Sequence, residues 1–311
     1  MAIRTYADIE TLRAAGELTP AEEQLLTACR EGDVCFLGDG ERPDLPANPD
    51  TPDPERTVRA DLLRYLILGG CGDWQGHEWG VNLAGAWISG QLDLSFATAK
   101  GATGLIECRF ERKIEALQAC FQTLNLTGSA FPGLNAQGCE IAGDAFLRGC
   151  KTTGEVSFAG AKIGGQLGCE NAELNGGEDE ALNAQGSEVA GGAFLHGCKT
   201  TGEVSFAGAK IGGQLDCEKA VLNGGDGKAL NAQGVEVAER TSLAGSKTTG
   251  EVSFSSARIG GQLSCTNAEL NGGKGRALNA QRMTVTESFF WRSVKSVKGW
   301  VDLNSAHVGD L

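Results

Sequence analysis

The sequence predicts an all-β solenoid over residues 81–311, preceded by a small α-helical cap within residues 1–80. The segment from Lys151 to Leu167 recurs unchanged from Lys199 to Leu215, and an edited copy runs from Lys247 to Leu263. The copies are therefore 48 residues apart. Glycine contributes 46 of the 311 residues, which is typical of a chain with many turns. Self-similarity at a fixed period of this length is typical of repeat architectures.

A shorter apolar pattern runs inside each copy. Val156, Phe158, Ala161 and Ile163 stand at offsets 0, 2, 5 and 7, and the same offsets begin again at Leu167. The pattern extends over twenty units, spaced 10 to 12 residues apart except at three longer spacings. Paired inward positions separated by a gap fit neither one helix face nor one long strand, but two successive short faces of a coil. Two units then form one coil, and the chain forms about ten coils.

Five-residue segments along the chain resemble pentapeptide repeats. The clearest are VNLAG at 81–85, LNLTG at 124–128, and VSFAG at 156–160 and 204–208. The resemblance covers about residues 81–311 and implies a right-handed, four-sided parallel β-helix. The whole chain, including the segment TVRADLLRYL at 57–66, also looks similar to bacterial proteins labelled membrane-associated oxidoreductases. No nucleotide-binding or redox motif in the sequence supports that label.

Stacking of the coils predicts ladders of alternating charge on the surface. One outward column reads Glu140, Lys162, Glu188, Lys210, Glu236 and Arg258. A second column reads Lys151, Glu173, Lys199, Val221, Lys247, Glu269 and Lys295. Because neighbouring coils are about 4.8 Å apart, opposite charges should be adjacent in each column. The three longer spacings contain Asn-Gly-Gly at Asn175, Asn223 and Asn271, and should form loops at one corner on every second coil.

Eleven cysteines suggest disulfides only if they can approach each other. In the predicted stack, Leu195 separates Cys169 from Cys217, so these two cysteines are about 9.6 Å apart, beyond the reach of a disulfide. We expect small buried side chains in a reducing compartment. No CxxC or HExxH motif occurs, and the corner loops change from acidic residues at 178–180 to Lys274 and Arg276. We therefore expect no metal and no cofactor.

The N-terminal segment, residues 1–80, is the most acidic part of the chain. It contains 16 acidic and 7 basic side chains, a net charge of −9 out of −13 for the whole chain. Thr19, Pro20 and Glu22 predict the start of a helix that ends near Gly32. A second helix is predicted after Pro54, with an apolar stripe of Val58, Leu62, Tyr65 and Leu66. This helix should cover the open end of the solenoid, with Trp74 and Trp79 at the junction.

Two groups of residues are candidates for binding. In the stack, His196 lies between Glu170 and Glu218, with Arg148, Phe146 and Phe194 nearby, although one more charge ladder would explain the same arrangement. At the other end of the chain, Phe290, Trp291 and Trp300 are a candidate interface, or a plug that closes the last coils.

The sequence predicts a non-catalytic scaffold or protein-interaction module. It should associate with itself or another protein through its uncapped C-terminal end, or form the soluble part of a longer protein. The pentapeptide-repeat resemblance implies an alternative, an acidic DNA mimic that acts on a topoisomerase. A carbohydrate-active β-helix enzyme is the second alternative. We expect a cytoplasmic protein that binds no nucleic acid directly and contacts a membrane only through a segment outside residues 1–311.

Overall fold

A computed structural model describes residues 3–45, 52–70, 79–177 and 179–310. This part of the chain forms three α-helices and 35 β-strands. The helices are α1 Tyr6–Ala14, α2 Pro20–Glu31 and α3 Ala60–Ile67. Most of the strands contain only two or three residues, because the chain turns a corner about every fifth residue.

The strands are, in chain order, β1 Cys35–Phe36, β2 Thr57–Arg59, β3 Gly80–Ala84, β4 Trp87–Ser89, β5 Ala102–Ile106, β6 Arg109–Phe110, β7 Ile114–Glu115, β8 Cys120–Phe121, β9 Thr123–Asn125, β10 Ala130–Phe131, β11 Leu134–Asn135, β12 Glu140–Ile141, β13 Ala145–Phe146, β14 Lys151–Thr152, β15 Val156–Ser157, β16 Lys162–Ile163, β17 Leu167–Gly168 and β18 Glu173–Asn175. They continue with β19 Leu182–Asn183, β20 Glu188–Val189, β21 Ala193–Phe194, β22 Lys199–Thr201, β23 Val204–Ser205, β24 Lys210–Ile211, β25 Leu215–Asp216, β26 Val221–Asn231, β27 Glu236–Val237, β28 Thr241–Ser242, β29 Lys247–Ser253, β30 Arg258–Ile259, β31 Leu263–Ser264, β32 Glu269–Asn279, β33 Thr284–Phe290, β34 Ser296–Asp302 and β35 His307–Asp310.

These strands stack in parallel into a right-handed β-helix with four faces and about ten coils, as predicted. The first face contains β1, β3, β5, β9, β13, β17, β21, β25, β28 and β31. The second contains β2, β4, β6, β10, β14, β18 and β22, the third β7, β11, β15, β19 and β23, and the fourth β8, β12, β16, β20, β24, β27, β30 and β35. β26, β29, β32 and β34 each run through the second and third faces, and β33 joins the fourth face to the first.

The predicted charge ladders are present. In the fourth face, Glu188 pairs in register with Lys162 on one side and Lys210 on the other. In the second face, the Nζ atoms of Lys151 and Lys199 lie 3.1 and 3.5 Å from the Glu173 carboxylate. At the last rung, Glu269 pairs in the backbone register with Ser296 rather than with Lys295. Lys295 Nζ is still 3.8 Å from the carboxylate of Glu269, so the alternation of charge continues.

The interior is one continuous apolar core that includes the helices. Cys169, Leu195, Cys217, Leu243 and Cys265 form one column and are all fully buried. The ten described cysteines form no disulfide with one another, and nine of them are buried, as predicted. Burial of apolar area on this scale supplies most of the stability of such a stack.

The three corner loops lie between the second and third faces on alternate coils, also as predicted. Their sharp bends need glycine. A Cβ atom at Gly224 would lie 1.8 Å from the carbonyl oxygen of Lys228. Because no side chain fits there, the Asn-Gly-Gly sequence allows the loop to fold back where other residues would not.

The N-terminal segment covers the first coil. α2 begins at the predicted Thr19 cap, whose hydroxyl accepts the amide hydrogen of Glu22, and ends at Gly32 with φ of 75°. The predicted helix after Pro54 begins only at Ala60, because Thr57–Arg59 forms β2 and extends the second face above β4. The sequence did not predict α1, which has its own capping box at Thr5.

Trp79 does not pack at the junction as predicted, since 72% of its surface is exposed. Trp74 lies outside the described residues. The apolar cover comes from α3, in which Leu62, Leu63 and Leu66 are at most 1% exposed. No helix in the described ranges is long and apolar enough to cross a membrane.

Candidate functional site

The first candidate site lies on the outer surface of the first face. β13, β17, β21 and β25 are consecutive strands there, and their register aligns Phe146 with Gly168 and Phe194 with Asp216. Two residues further along each coil, Arg148, Glu170, His196 and Glu218 follow one another in the stack. The predicted order of this ladder is therefore confirmed by the backbone pairing.

Arg148 and Glu170 form a closed ion pair at the upper end of this ladder. Arg148 Nε lies 3.1 Å from both carboxylate oxygens of Glu170. The guanidinium carbon also lies 4.0 Å from the ring centre of Phe146, in cation–π geometry. Glu170 consequently has its charge balanced by Arg148.

His196 lies near two carboxylates of the next coil along the chain, those of Asp216 and Glu218. One ligand atom from each of His196, Asp216 and Glu218 lies within 4.8 Å of the other two. Glu218 N donates a hydrogen bond of 2.8 Å to Asp216 Oδ1, and Ser242 Oγ donates one of 2.9 Å to Glu218 Oε1. We call His196, Asp216 and Glu218 the carboxylate–histidine cluster.

Sequence reasoning missed Asp216, which is only 9% exposed, and Ser242. A signal for Asp216 was present in the internal repeat. The residues at this position in the three copies are Gly168, Asp216 and Ser264. Only the middle copy carries a carboxylate there.

The second candidate site is the last coil. Phe289 lies in the core column of Leu263, and Trp291 packs against it edge to face, with ring centres 5.7 Å apart at 73°. Phe290 lies on the outer side of the first face, with the Arg292 guanidinium 4.7 Å from its ring centre. Trp300 lies at the corner between the second and third faces, opposite Arg276, and is 54% exposed.

The three aromatic residues predicted at this end thus have different surroundings. Trp291 contacts the core through Phe289, Phe290 lies beside an arginine, and Trp300 lies on the surface. Sequence reasoning did not single out Val297 and Leu303, which occupy inward offsets and are 39% and 44% exposed. These two residues and Trp300 are exposed apolar side chains of the last coil, and we call the three of them the end surface.

The buried thiols are poor nucleophiles. Burial raises the pKa of Cys35 to about 11 and the pKa of Cys108 and Cys265 to about 12. A thiol is reactive as its thiolate, and these groups stay protonated at neutral pH.

No protein-family model and no curated protein matches the chain. The resemblance to pentapeptide repeats and to proteins labelled oxidoreductases therefore stays a prediction.

Proposed function

We propose that the protein is a non-catalytic interaction module that associates with a second copy of itself through the end surface. The observation that supports this is the exposure of inward positions in the last coil. Val297 lies below Leu270 in its column, and Leu303 lies below Ala280. Leu270 and Ala280 are fully buried, whereas Val297 and Leu303 are 39% and 44% exposed. Apolar surface in such a position is typical of protein interfaces.

The backbone of the last coil supports association as well. Within the described residues, β34 and β35 pair with strands on one side only, so each presents a free edge. A free edge of this kind pairs readily with another strand. Under a two-fold axis, each edge would meet a copy of the same surface.

Charge opposes this contact only weakly. The last coil, residues 289–310, contains Arg292, Lys295, Lys298, Asp302 and Asp310, so its formal charges sum to +1. Two copies of this coil therefore carry only a small net charge that would keep them apart. The alternating ladders along the rest of the surface support an interaction module over a DNA mimic, since a mimic needs one sign of charge along its length.

The test is the mass of the chain in solution, by light scattering over a range of concentration. We expect twice the 32.4 kDa of one chain. The dimer should persist at about 1 M salt, because apolar burial drives it. Trp300→Glu should yield monomers. Trp300 occupies the position that Glu251 occupies two coils above, so the variant restores the residue of the repeat and should fold.

Trp79→Glu is the matched control, because Trp79 is an exposed tryptophan at the opposite end of the rod. This variant should keep the mass of the wild-type chain. A wild-type chain that is monomeric at every concentration, or a dimer that both variants retain, contradicts the proposal.

A further inference from the structure

We propose that His196, Asp216 and Glu218 bind a divalent transition-metal ion of the Zn²⁺ type. One imidazole nitrogen and two carboxylate oxygens supply three ligands from two adjacent coils of the first face. The sequence alone led us to expect no metal, because no CxxC or HExxH motif occurs and the corner loops change charge, and it did not single out Asp216. This site lies apart from the end surface and does not depend on self-association.

The distances suit an ion after a small side-chain rotation. Zn²⁺ binds nitrogen and oxygen ligands at about 2.0–2.2 Å in tetrahedral geometry, so two ligand atoms of one ion are about 3.4 Å apart. The three ligand atoms of the cluster already lie within 4.8 Å of one another. Asp216 is 9% exposed and is held by the amide of Glu218, while His196 and Glu218 are partly exposed. An ion can therefore enter from solvent and keep at least one coordination position open to water.

Charge gives the second argument. The neighbouring carboxylates in the ladders have cationic partners, such as Arg148 for Glu170 at 3.1 Å. In the described part of the chain, neither Asp216 nor Glu218 has a lysine or arginine within 4.0 Å. Two adjacent carboxylates without a cation repel each other, and a divalent ion would balance both charges.

The internal repeat gives a third argument, since the same three positions occur in every copy. The first copy has Arg148, Gly168 and Glu170 at these positions, and there the arginine closes an ion pair with the glutamate. The third copy has Ala244, Ser264 and Thr266, with no charge at all. Only the middle copy combines an imidazole with two carboxylates. The other two copies form the same coil without them, so the fold of the repeat does not need these three side chains.

Neighbouring groups would orient the ligands. Ser242, on the next coil, donates a hydrogen bond to Glu218 Oε1, and this leaves Glu218 Oε2 for the ion. Outer partners of this kind hold a ligand in the geometry for binding. A mixed nitrogen and oxygen donor set favours Zn²⁺, Mn²⁺ or Ni²⁺ over Ca²⁺ and Mg²⁺, which prefer oxygen ligands only.

The experiment is a calorimetric titration of the chelator-treated full chain with Zn²⁺, in the presence of a phosphine reductant. We expect saturable binding that His196→Arg and Asp216→Gly each weaken by about 100-fold or more, because each removes one of three ligands. Both substitutions install the residue of the first copy, so the coil should keep its fold. Ser242→Ala should weaken binding about 10-fold, as loss of an outer partner does.

Glu170→Gln and His307→Ala are the controls and should bind Zn²⁺ like the wild type. Glu170 is the counterpart of Glu218 in the first copy, and His307 is the other described histidine. A titration without binding, or binding that His196→Arg and Asp216→Gly leave unchanged, overturns the proposal. Circular dichroism of each variant establishes that it is folded before it is titrated. If both variants fail to fold, Co²⁺ added to the wild type decides, since ligation by the cluster requires a visible absorption band different from that of aqueous Co²⁺.

Discussion

At the N-terminal end of the rod, α3 lies over the first coil and leaves Leu62, Leu63 and Leu66 at most 1% exposed, whereas Val297 and Leu303 in the last coil are 39% and 44% exposed. Both ends belong to the same parallel stack. Each coil buries its apolar positions only when another layer covers them, so what lies on an end decides whether its side chains act as core or as surface. The helical cap therefore shares one apolar core with the first coils, whereas the last coil leaves Val297 and Leu303 partly on the surface of the described residues.

The largest expected effect is a loss of stability at high pH, which should come from the buried cysteines of the interior and not from the last coil. Burial raises the pKa of Cys35 to about 11 and of Cys108, Cys139 and Cys265 to about 12, from an ordinary value of 9.0. Burial also raises the pKa of four more thiols, those of Cys150, Cys169, Cys198 and Cys217. The last coil, from residue 289 onward, contains no cysteine.

Because these pKa values are higher in the folded chain, their contribution to stability is complete below about pH 9 and is lost as pH rises through the folded values. At pH 10 each thiol lowers the free energy of unfolding by about 1.4 kcal/mol, or by about 11 kcal/mol for the eight together. Urea unfolding followed by circular dichroism at pH 8, 9 and 10 measures this loss. A free energy of unfolding that stays constant up to pH 10 would contradict it.

A smaller effect compares one leucine from each end. Leu63→Ala should lower the free energy of unfolding by about 2–5 kcal/mol, because Leu63 is fully buried within the cap. Leu303→Ala should cost less than about 1 kcal/mol in the monomer, because nearly half of Leu303 is already in water. Urea titrations at low protein concentration measure both. Equal losses at the two positions would mean that the last coil is covered in the free chain.

The smallest effect concerns the charge ladders, which continue into the last coil. Lys247 and Lys295 lie 3.5 and 3.8 Å from the Glu269 carboxylate, and both lysines are largely exposed. Replacing either by alanine should lower the free energy of unfolding by at most about 0.5 kcal/mol, because water and salt screen exposed ion pairs. Thermal unfolding of the two variants at low salt measures the change. A loss above about 1 kcal/mol at Lys247 alone would show that the ladder matters more away from the end.

The repeat predicted most of the fold because the inward residues have the same spacing in every unit. Once one column of stacked residues is assigned correctly, this spacing fixes the register of all the other columns. The errors occur where a contact from elsewhere in the chain decides the local structure. Residues 57–59 carry a helical pattern, yet they form a strand because the edge of β4 is available to pair with them. Trp79 is exposed, whereas the leucines of α3 are buried at this end of the stack.

The candidate site was predicted in part. The register placed His196 between Glu170 and Glu218, but it left open which carboxylate belongs with the imidazole. Arg148 decides this, since it binds both oxygens of Glu170. Asp216 was missed because its offset lies on the outer side beside Phe194, at a position that carries glycine or serine in the other copies.

The spacing of the internal repeat also has a consequence for the length of the rod. One period is two coils, which advance the stack by about 9.6 Å. Adding or removing one whole period therefore moves the last coil away from or toward the cap by that distance, while every interior column and every charge ladder stays aligned. The number of repeat periods therefore sets the distance between the cap and the last coil, and gene duplication alone can change that distance.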